Sequence, residues 1–257
     1  MKSAYDLDCL IMQHAEDLEL SKNGMMNDGI ISTKLGLQGI PDIAEKIIIE
    51  RDLTLLEDLN CRYHVSQISS SKSVGIIEQK KEVVSFTTGV SINNLSLNEN
   101  DIGDFRTFLK LSPPLRTEDD RISLIKGINK NLIDVIVSDH KPEDEESKRL
   151  TFSQAATGAS GVETLLPLSL ELFHNGSVKL FKLIELLTSN PAKILKINKG
   201  NLSIGNDADF CIVDIYKPWI VKKEKIVSKS KNTCIDDKKL QGQVVNTFVK
   251  GEELFKI

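Results

Sequence analysis

Over the first three quarters of the chain, short apolar runs alternate with stretches in which apolar residues recur every three or four positions. Cys9-Leu10-Ile11-Met12 predicts a strand that ends at Gln13-His14, followed by a polar, Gly-containing loop through Gly39. Pro41 opens a predicted helix to about Leu59, with proline in its first turn and Ile43, Ile47 and Leu55 among its apolar positions. Cys61 to Val65 predicts the next strand, Ser71 to Lys81 a helix, and Val83 to Phe86 another strand. Phe108 to Leu111 is a weaker strand candidate, stopped by Pro113-Pro114. Thr117 has the chemistry of an N-cap, with Asp119 and Asp120 in the first turn of a helix to about Asn131. Asp134-Val135-Ile136-Val137 is the last clear strand of the series.

Strands alternating with helices imply βαβ units and a parallel sheet. In a (β/α) barrel the chemistry sits at the C-terminal ends of the strands, where this chain carries His14, Gln67, Asn93, Asn94, Asp139 and His140. Helices are then expected from Gly161 to His174, ended by Asn175-Gly176, and from about Val178 to Leu187, with a short helical turn at Ser189-Asn190-Pro191-Ala192. From Gly200 the texture becomes turn-strand-turn-strand, and Val244 to Val249 before Gly251 predicts a terminal strand.

The expected fold class is therefore α/β, with residues 1–198 as a partial (β/α) barrel and 199–257 as a small C-terminal β extension. A complete (β/α)₈ barrel takes about 250 residues. Only four or five strands can be found before Asp139, and the first begins within ten residues of Met1. The pattern is that of an incomplete TIM-type barrel, its second half.

Composition narrows the function. The 257 residues carry 33 Lys and Arg against 37 Asp and Glu, a net charge of -4, which speaks against a nucleic-acid footprint and an electrostatic membrane binder. No apolar run exceeds about four residues, so a membrane-spanning helix of ~20 is excluded. Two acids near the N-terminus stand where a signal peptide needs its apolar region, and the expectation is a soluble, cytoplasmic chain. Cys9, Cys61, Cys211 and Cys234 contain no C-x-x-C, so neither a disulfide framework nor a zinc ribbon is expected; Cys9 and Cys61 read as core positions.

Several stretches carry a resemblance in their order and spacing. They are His14-Ala15-Glu16-Asp17, Arg62 to Ser70, Ser138-Asp139-His140-Lys141-Pro142, Gly24 to Gly29 with Gly39-Ile40-Pro41, and Gly158 to Leu168. Ser189-Asn190-Pro191-Ala192 and the Gly205-Asn206-Asp207-Ala208-Asp209 turn also fit. From about Asp6 to Gly251 the chain resembles the dihydroorotases of the amidohydrolase superfamily. The resemblance implies a barrel with a β extension, and a metal-dependent hydrolase that interconverts dihydroorotate and carbamoyl-aspartate in pyrimidine synthesis. The metal, zinc by family, lowers the pKa of a bound water and polarises the amide, while an aspartate moves the proton.

Carried over by position, His14 matches a metal-ligating histidine, and Asp139 matches the last-strand aspartate, both ligand and proton carrier. A strand-end histidine is ordinarily a satisfied polar residue, and a loop aspartate an N-cap; the surrounding motifs favour the functional reading here. Asn94, Gly158 and Gly161 are the candidate substrate-binding residues, the glycines because they let main-chain N–H groups approach a ring closely. Gln67 stands where the family has its other histidine ligand, Asn93-Asn94 where it commonly has two histidines, and Glu143 where a histidine meets the substrate carboxylate. His64 is three positions from Gln67, on the opposite face of a strand, and His174 reads as a helix-end dipole partner. No His-x-His is present.

One histidine and one aspartate do not hold a binuclear centre, so the chain by itself is expected not to turn substrate over. The alternative is a non-catalytic dihydroorotase-like scaffold subunit, a partner of aspartate carbamoyltransferase or of further copies of itself. A third reading is a truncated product whose open sheet edges pair or aggregate.

Overall fold

The computed structural model describes residues 1–257. Four strands, β1 (Ile11–Gln13), β2 (Tyr63–Ile68), β3 (Thr87–Ser91) and β4 (Val135–Val137), form one parallel sheet in sequence order. The registers pair Ile11 with Tyr63, His64 with Thr87 and Gly89 with Val135. Successive strands are joined through helices α1 (Ile43–Asp58), α2 (Ser71–Lys80) and α3 (Glu118–Asn129), as parallel pairing requires of a crossover. A separate two-residue parallel ribbon, Met26–Asn27 with Gly39–Ile40, lies within the loop after β1.

Helix α1 buries Ala44, Ile48, Ile49, Leu53 and Leu56, which share one face at helical spacing. Ile43, Ile47 and Leu55, expected among its apolar positions, form a partly exposed stripe instead. Helix α2 is capped by Ser70, whose side chain accepts from Ser73 N. Helix α3 is capped by Thr117, which accepts from Asp120 N while Asp120 accepts from Thr117, so this predicted N-cap is present as a capping box.

Three local expectations need correction. The strand predicted at Val83 to Phe86 lies at Thr87–Ser91; Val83 is exposed and belongs to the turn that closes α2, while the less apolar Thr-Thr-Gly-Val-Ser is buried within the sheet. Phe108 to Leu111 is no strand: Thr107–Leu109 forms a single 3-10 turn that still buries Leu109. Cys9 precedes β1 and is exposed, whereas Cys61 is buried as expected.

The chain continues through α4 (Leu165–His174) and α5 (Leu180–Leu187) into an antiparallel three-stranded sheet. Its strands are β5 (Phe210–Ile220), β6 (Lys239–Val249) and β7 (Glu252–Lys256), the last one beyond the predicted terminal strand. Phe210 and Phe248 stack across the β5–β6 pair with centroids 4.6 Å apart. At the end of α4, His174 Nε2 donates to Ile215 O at 3.0 Å, so this histidine fastens the helix to β5. Val221, Ile226, Cys234, Ile235 and Leu240, all in or beside the connection from β5 to β6, belong to the same buried core as the parallel sheet. No helix is long and apolar enough to cross a membrane.

Candidate active site

The C-terminal ends of the parallel strands bring the predicted residues together. His14 follows β1 directly, Gln67 lies near the end of β2, Ser91 closes β3, and Asp139 stands two residues beyond β4 with φ +49°. Gln67 Nε2 donates to Asp139 Oδ1 at 2.9 Å. His14 Nε2 lies 3.1 Å from Ser112 Oγ and 3.4 Å from Glu16 Oε2.

The electrostatics follow from this packing. Burial raises the Asp139 pKa, and it outweighs the opposing pull of Gln67, His14, Lys141 and Ser91. The Glu16 carboxylate raises the His14 pKa against burial, with smaller contributions from Gln67 and Glu45. Glu16 is in turn held low, first by His14.

The backbone around Asp139 is fixed by close contacts. Lys141 N donates to Ala159 O at 2.8 Å, and Gly161 N donates to His140 Nδ1 at 3.1 Å. A Cβ on Gly161 would stand 2.3 Å from Ser138 O, and one on Gly158, at φ +138°, 2.6 Å from Lys141 O. These glycines therefore permit two backbone segments to lie against each other. Their own N–H groups are engaged inside the protein, Gly158 with Lys110 O and Gly161 with His140.

Asn232 ties this region to the connection between β5 and β6. Its Nδ2 donates to Gly158 O at 3.1 Å, and its Oδ1 accepts from Glu143 N at 3.3 Å and from Ser160 Oγ at 3.4 Å. Sequence reasoning missed Asn232, and also Glu16 and Ser112. Glu16 stood inside a motif already quoted, but Ser112 reaches His14 from 98 residues away and carries no periodic signal.

The other predicted positions are placed differently. Asn94 is buried and donates to Pro114 O at 2.9 Å, while its Oδ1 and the neighbouring Asn93 Nδ2 have no hydrogen-bond partner. His64 points away from Gln67, bonding Thr87 Oγ1 at 2.8 Å. Glu143 lines a separate cavity of about 430 Å³ with Asp144, Glu145, Lys223 and Lys231, and its charge acts on Lys148.

The donor set does not fit a binuclear metal centre. No three His, Cys, Asp or Glu side chains of this chain converge as metal ligands, and the third residue at the cluster, Gln67, presents an amide.

A parallel sheet whose strand ends gather a histidine, an amide and a half-buried aspartate has the layout of a site built at the C-terminal ends of barrel strands. The chain belongs to the amidohydrolase family, whose profile matches residues 1–254. Among individual proteins it is 44% identical over 252 residues to the dihydroorotase of Ehrlichia chaffeensis, covering 97% of this chain and 56% of that one. It is 41% identical to the dihydroorotase of Anaplasma phagocytophilum, covering 98% and 57%. The resemblance to dihydroorotases thus holds over nearly the whole chain, which spans little more than half the length of these relatives. In structure it is similar to the L-hydantoinase (dihydropyrimidinase) of Arthrobacter aurescens, with TM-score 0.88, 26% identity, and 99% and 59% of the two chains covered. The dihydropyrimidinase of Brevibacillus agri NCHU1002 matches with TM-score 0.86 and 20% identity over 98% of this chain and 58% of that one, a likeness of fold.

Proposed function

We propose that the chain is the later portion of a dihydroorotase-type barrel, carrying part of a site for a cyclic amide and its ring-opened ureido acid. The substrates of this reading are dihydroorotate and carbamoyl-aspartate. The observation that carries it is the meeting of His14, Gln67 and Asp139 at the ends of β1, β2 and β4, in a chain 44% identical to a dihydroorotase.

In this reading residues 1–198 are the second half of an incomplete barrel, and 199–257 are its β extension. Asp139 is the proton carrier: burial raises its pKa, which brings it toward the range where a carboxyl can both give and take a proton. His14 and Asp139 are the two positions that would face a metal, zinc in the family reading. Gly158 and Gly161 shape the wall beside Asp139 by allowing its loop to pack closely, and Asn94 supports the Pro114 backbone below the site. The donor set argues that this chain alone does not turn substrate over.

Gln67 at a ligand position favours a second reading, a non-catalytic scaffold that binds aspartate carbamoyltransferase or other copies of itself. Cytoplasmic residence fits either reading.

The test joins this chain to the portion of the Ehrlichia chaffeensis relative outside the match, with and without Gln67→His. Turnover of dihydroorotate that appears with the substitution supports the leading reading. A folded fusion carrying it that stays inactive with zinc present rejects that reading. Retention of aspartate carbamoyltransferase by the inactive chain supports the scaffold. Turnover by the isolated chain itself would overturn the expectation of silence.

A further inference from the structure

A cavity of about 860 Å³ opens between the short helix Ile92–Ser96, the C-terminal half of α4 and the β5–β6 pair. None of His14, Gln67 and Asp139 lines it, so it is distinct from the strand-end site. Its volume is that of a small-molecule site. Leu95, Leu172 and Leu240, all buried, form an apolar floor together with the partly exposed Trp219, which is paired with Leu240 across β5 and β6. Trp219 Nε1 donates to Gly242 O at 3.1 Å, which fixes the ring before any ligand arrives.

The polar groups around this floor are unevenly committed. Arg121 is held by Glu118, through Nε to Oε2 at 2.7 Å and Nη2 to Oε1 at 2.6 Å, and its Nη1 donates to Leu95 O. Glu171 accepts from Lys238 at 2.7 Å, and His174 uses Nε2 on Ile215 O. Lys239 lines the same cavity, is exposed, and its ammonium makes no hydrogen bond or ion pair. An entering cation therefore meets no unpaired carboxylate, whereas an entering anion meets a free ammonium. Ser96 adds a second donor, because its hydroxyl is buried and has no hydrogen-bond partner. A buried hydroxyl left unmet is unfavourable, and a ligand oxygen beside it would relieve that cost.

We propose that this cavity is a second binding site, for a small carboxylate with a flat apolar body, an aryl-alkanoate. The ring packs on Trp219 and the three leucines, Lys239 pairs with the carboxylate, and Ser96 supplies a hydrogen bond to the ligand. The site shares no residue with the strand ends, so it stands or falls apart from any turnover of a cyclic amide.

Trp219 is the only tryptophan of the chain, and its emission reports on this cavity. The full chain is titrated with phenylacetate, with phenylacetamide, which keeps the ring without the charge, and with succinate, which keeps the charge without the ring. Phenylacetate is expected to give a saturable change in emission, matched by a calorimetric heat. Phenylacetamide should bind about two- to fivefold more weakly, and Lys239→Met should weaken phenylacetate by a similar factor, the size of an exposed ion pair. Ser96→Ala should also weaken phenylacetate, without lowering the melting temperature, since the hydroxyl has no partner to lose. Succinate should not saturate. Phenylacetate that gives neither a saturable emission change nor a heat overturns the proposal. So does phenylacetate affinity that Lys239→Met and Ser96→Ala leave unchanged, or succinate or phenylacetamide binding as tight as phenylacetate.

Discussion

Tyr63 on β2 and Asp52 on α1 are joined by a 2.6 Å hydrogen bond from the phenol to Asp52 Oδ2, between two buried residues. The other Asp52 oxygen accepts from Arg51 at 2.8 Å. Burial and the adjacent carboxylate push the phenol pKa well above its ordinary value, so the hydroxyl keeps its proton and remains a donor. The Tyr63→Phe change leaves Asp52 with Arg51 alone. It is expected to destabilise the chain by about 1–3 kcal/mol, the cost of an unmet buried acceptor. Urea unfolding measures it, and a loss under ~0.5 kcal/mol would show that the pair does not anchor α1 to the sheet.

Lys148 gives the stability a pH dependence whose sign is fixed. The side chain is 2% exposed, its ammonium donates to Thr107 O and Ala156 O, and burial lowers its pKa from 10.5 to about 8. Between those values the unfolded chain holds the proton more tightly than the folded one, so folding stability rises with pH across that window. Below pH 8 the full penalty, on the order of 3 kcal/mol, is present. Stability measured against pH for the wild type and for Lys148→Met should differ by an amount that grows in favour of the wild type from pH 8 to pH 10. A constant difference would mean that the ammonium is solvated in the fold.

Much of this architecture is legible in the sequence because the helices bury one stripe each. Ser71 to Lys81 and Thr117 to Asn131 announce themselves by cap chemistry and spacing, and both helices form within a residue or two of those limits. Strand β3 does not, because its buried partners are polar: Thr88 N donates to Asp134, and Thr87 bonds His64. Val83-Val84 has the stronger apolar signal but lies in a turn, since a two-residue apolar pair carries no period. At the site, His14, Gln67 and Asp139 are readable because each ends a strand. Ser112 and Asn232 are not, because their contacts join segments far apart in the chain through loops that have no repeat.

Asn232 separates two effects when its amide is altered in different ways. In Asn232→Ala, Glu143 N and Gly158 O both lose their partner, and a loss of about 2–4 kcal/mol is expected with faster hydrogen exchange at Glu143. In Asn232→Asp the acceptor for Glu143 N survives, while the donor to Gly158 O is gone. Exchange at Glu143 should then stay close to wild type although the protein is less stable. Equal exchange rates in the two variants would show that Asn232 does not hold the 140–143 loop.

Two glycine-to-alanine changes are expected to act with opposite sign, because a Cβ has no room at one position and completes a helix at the other. Gly161 has φ −134°, open to any residue, yet a Cβ there would fall 2.3 Å from the backbone oxygen of Ser138, one residue before Asp139. Backbone on both sides must move, so Gly161→Ala should cost about 1–3 kcal/mol, in the range of overpacking, and displace Asp139 from Gln67. Gly75 lies inside α2, where nothing is within 4 Å of its Cβ position, so Gly75→Ala should gain about 0.5–1 kcal/mol from helix propensity. Thermal unfolding of the two variants beside the wild type measures both. A neutral Gly161→Ala would mean that the strand end and the 158–161 loop are not held in contact, and the support assigned to Asp139 would be lost with it.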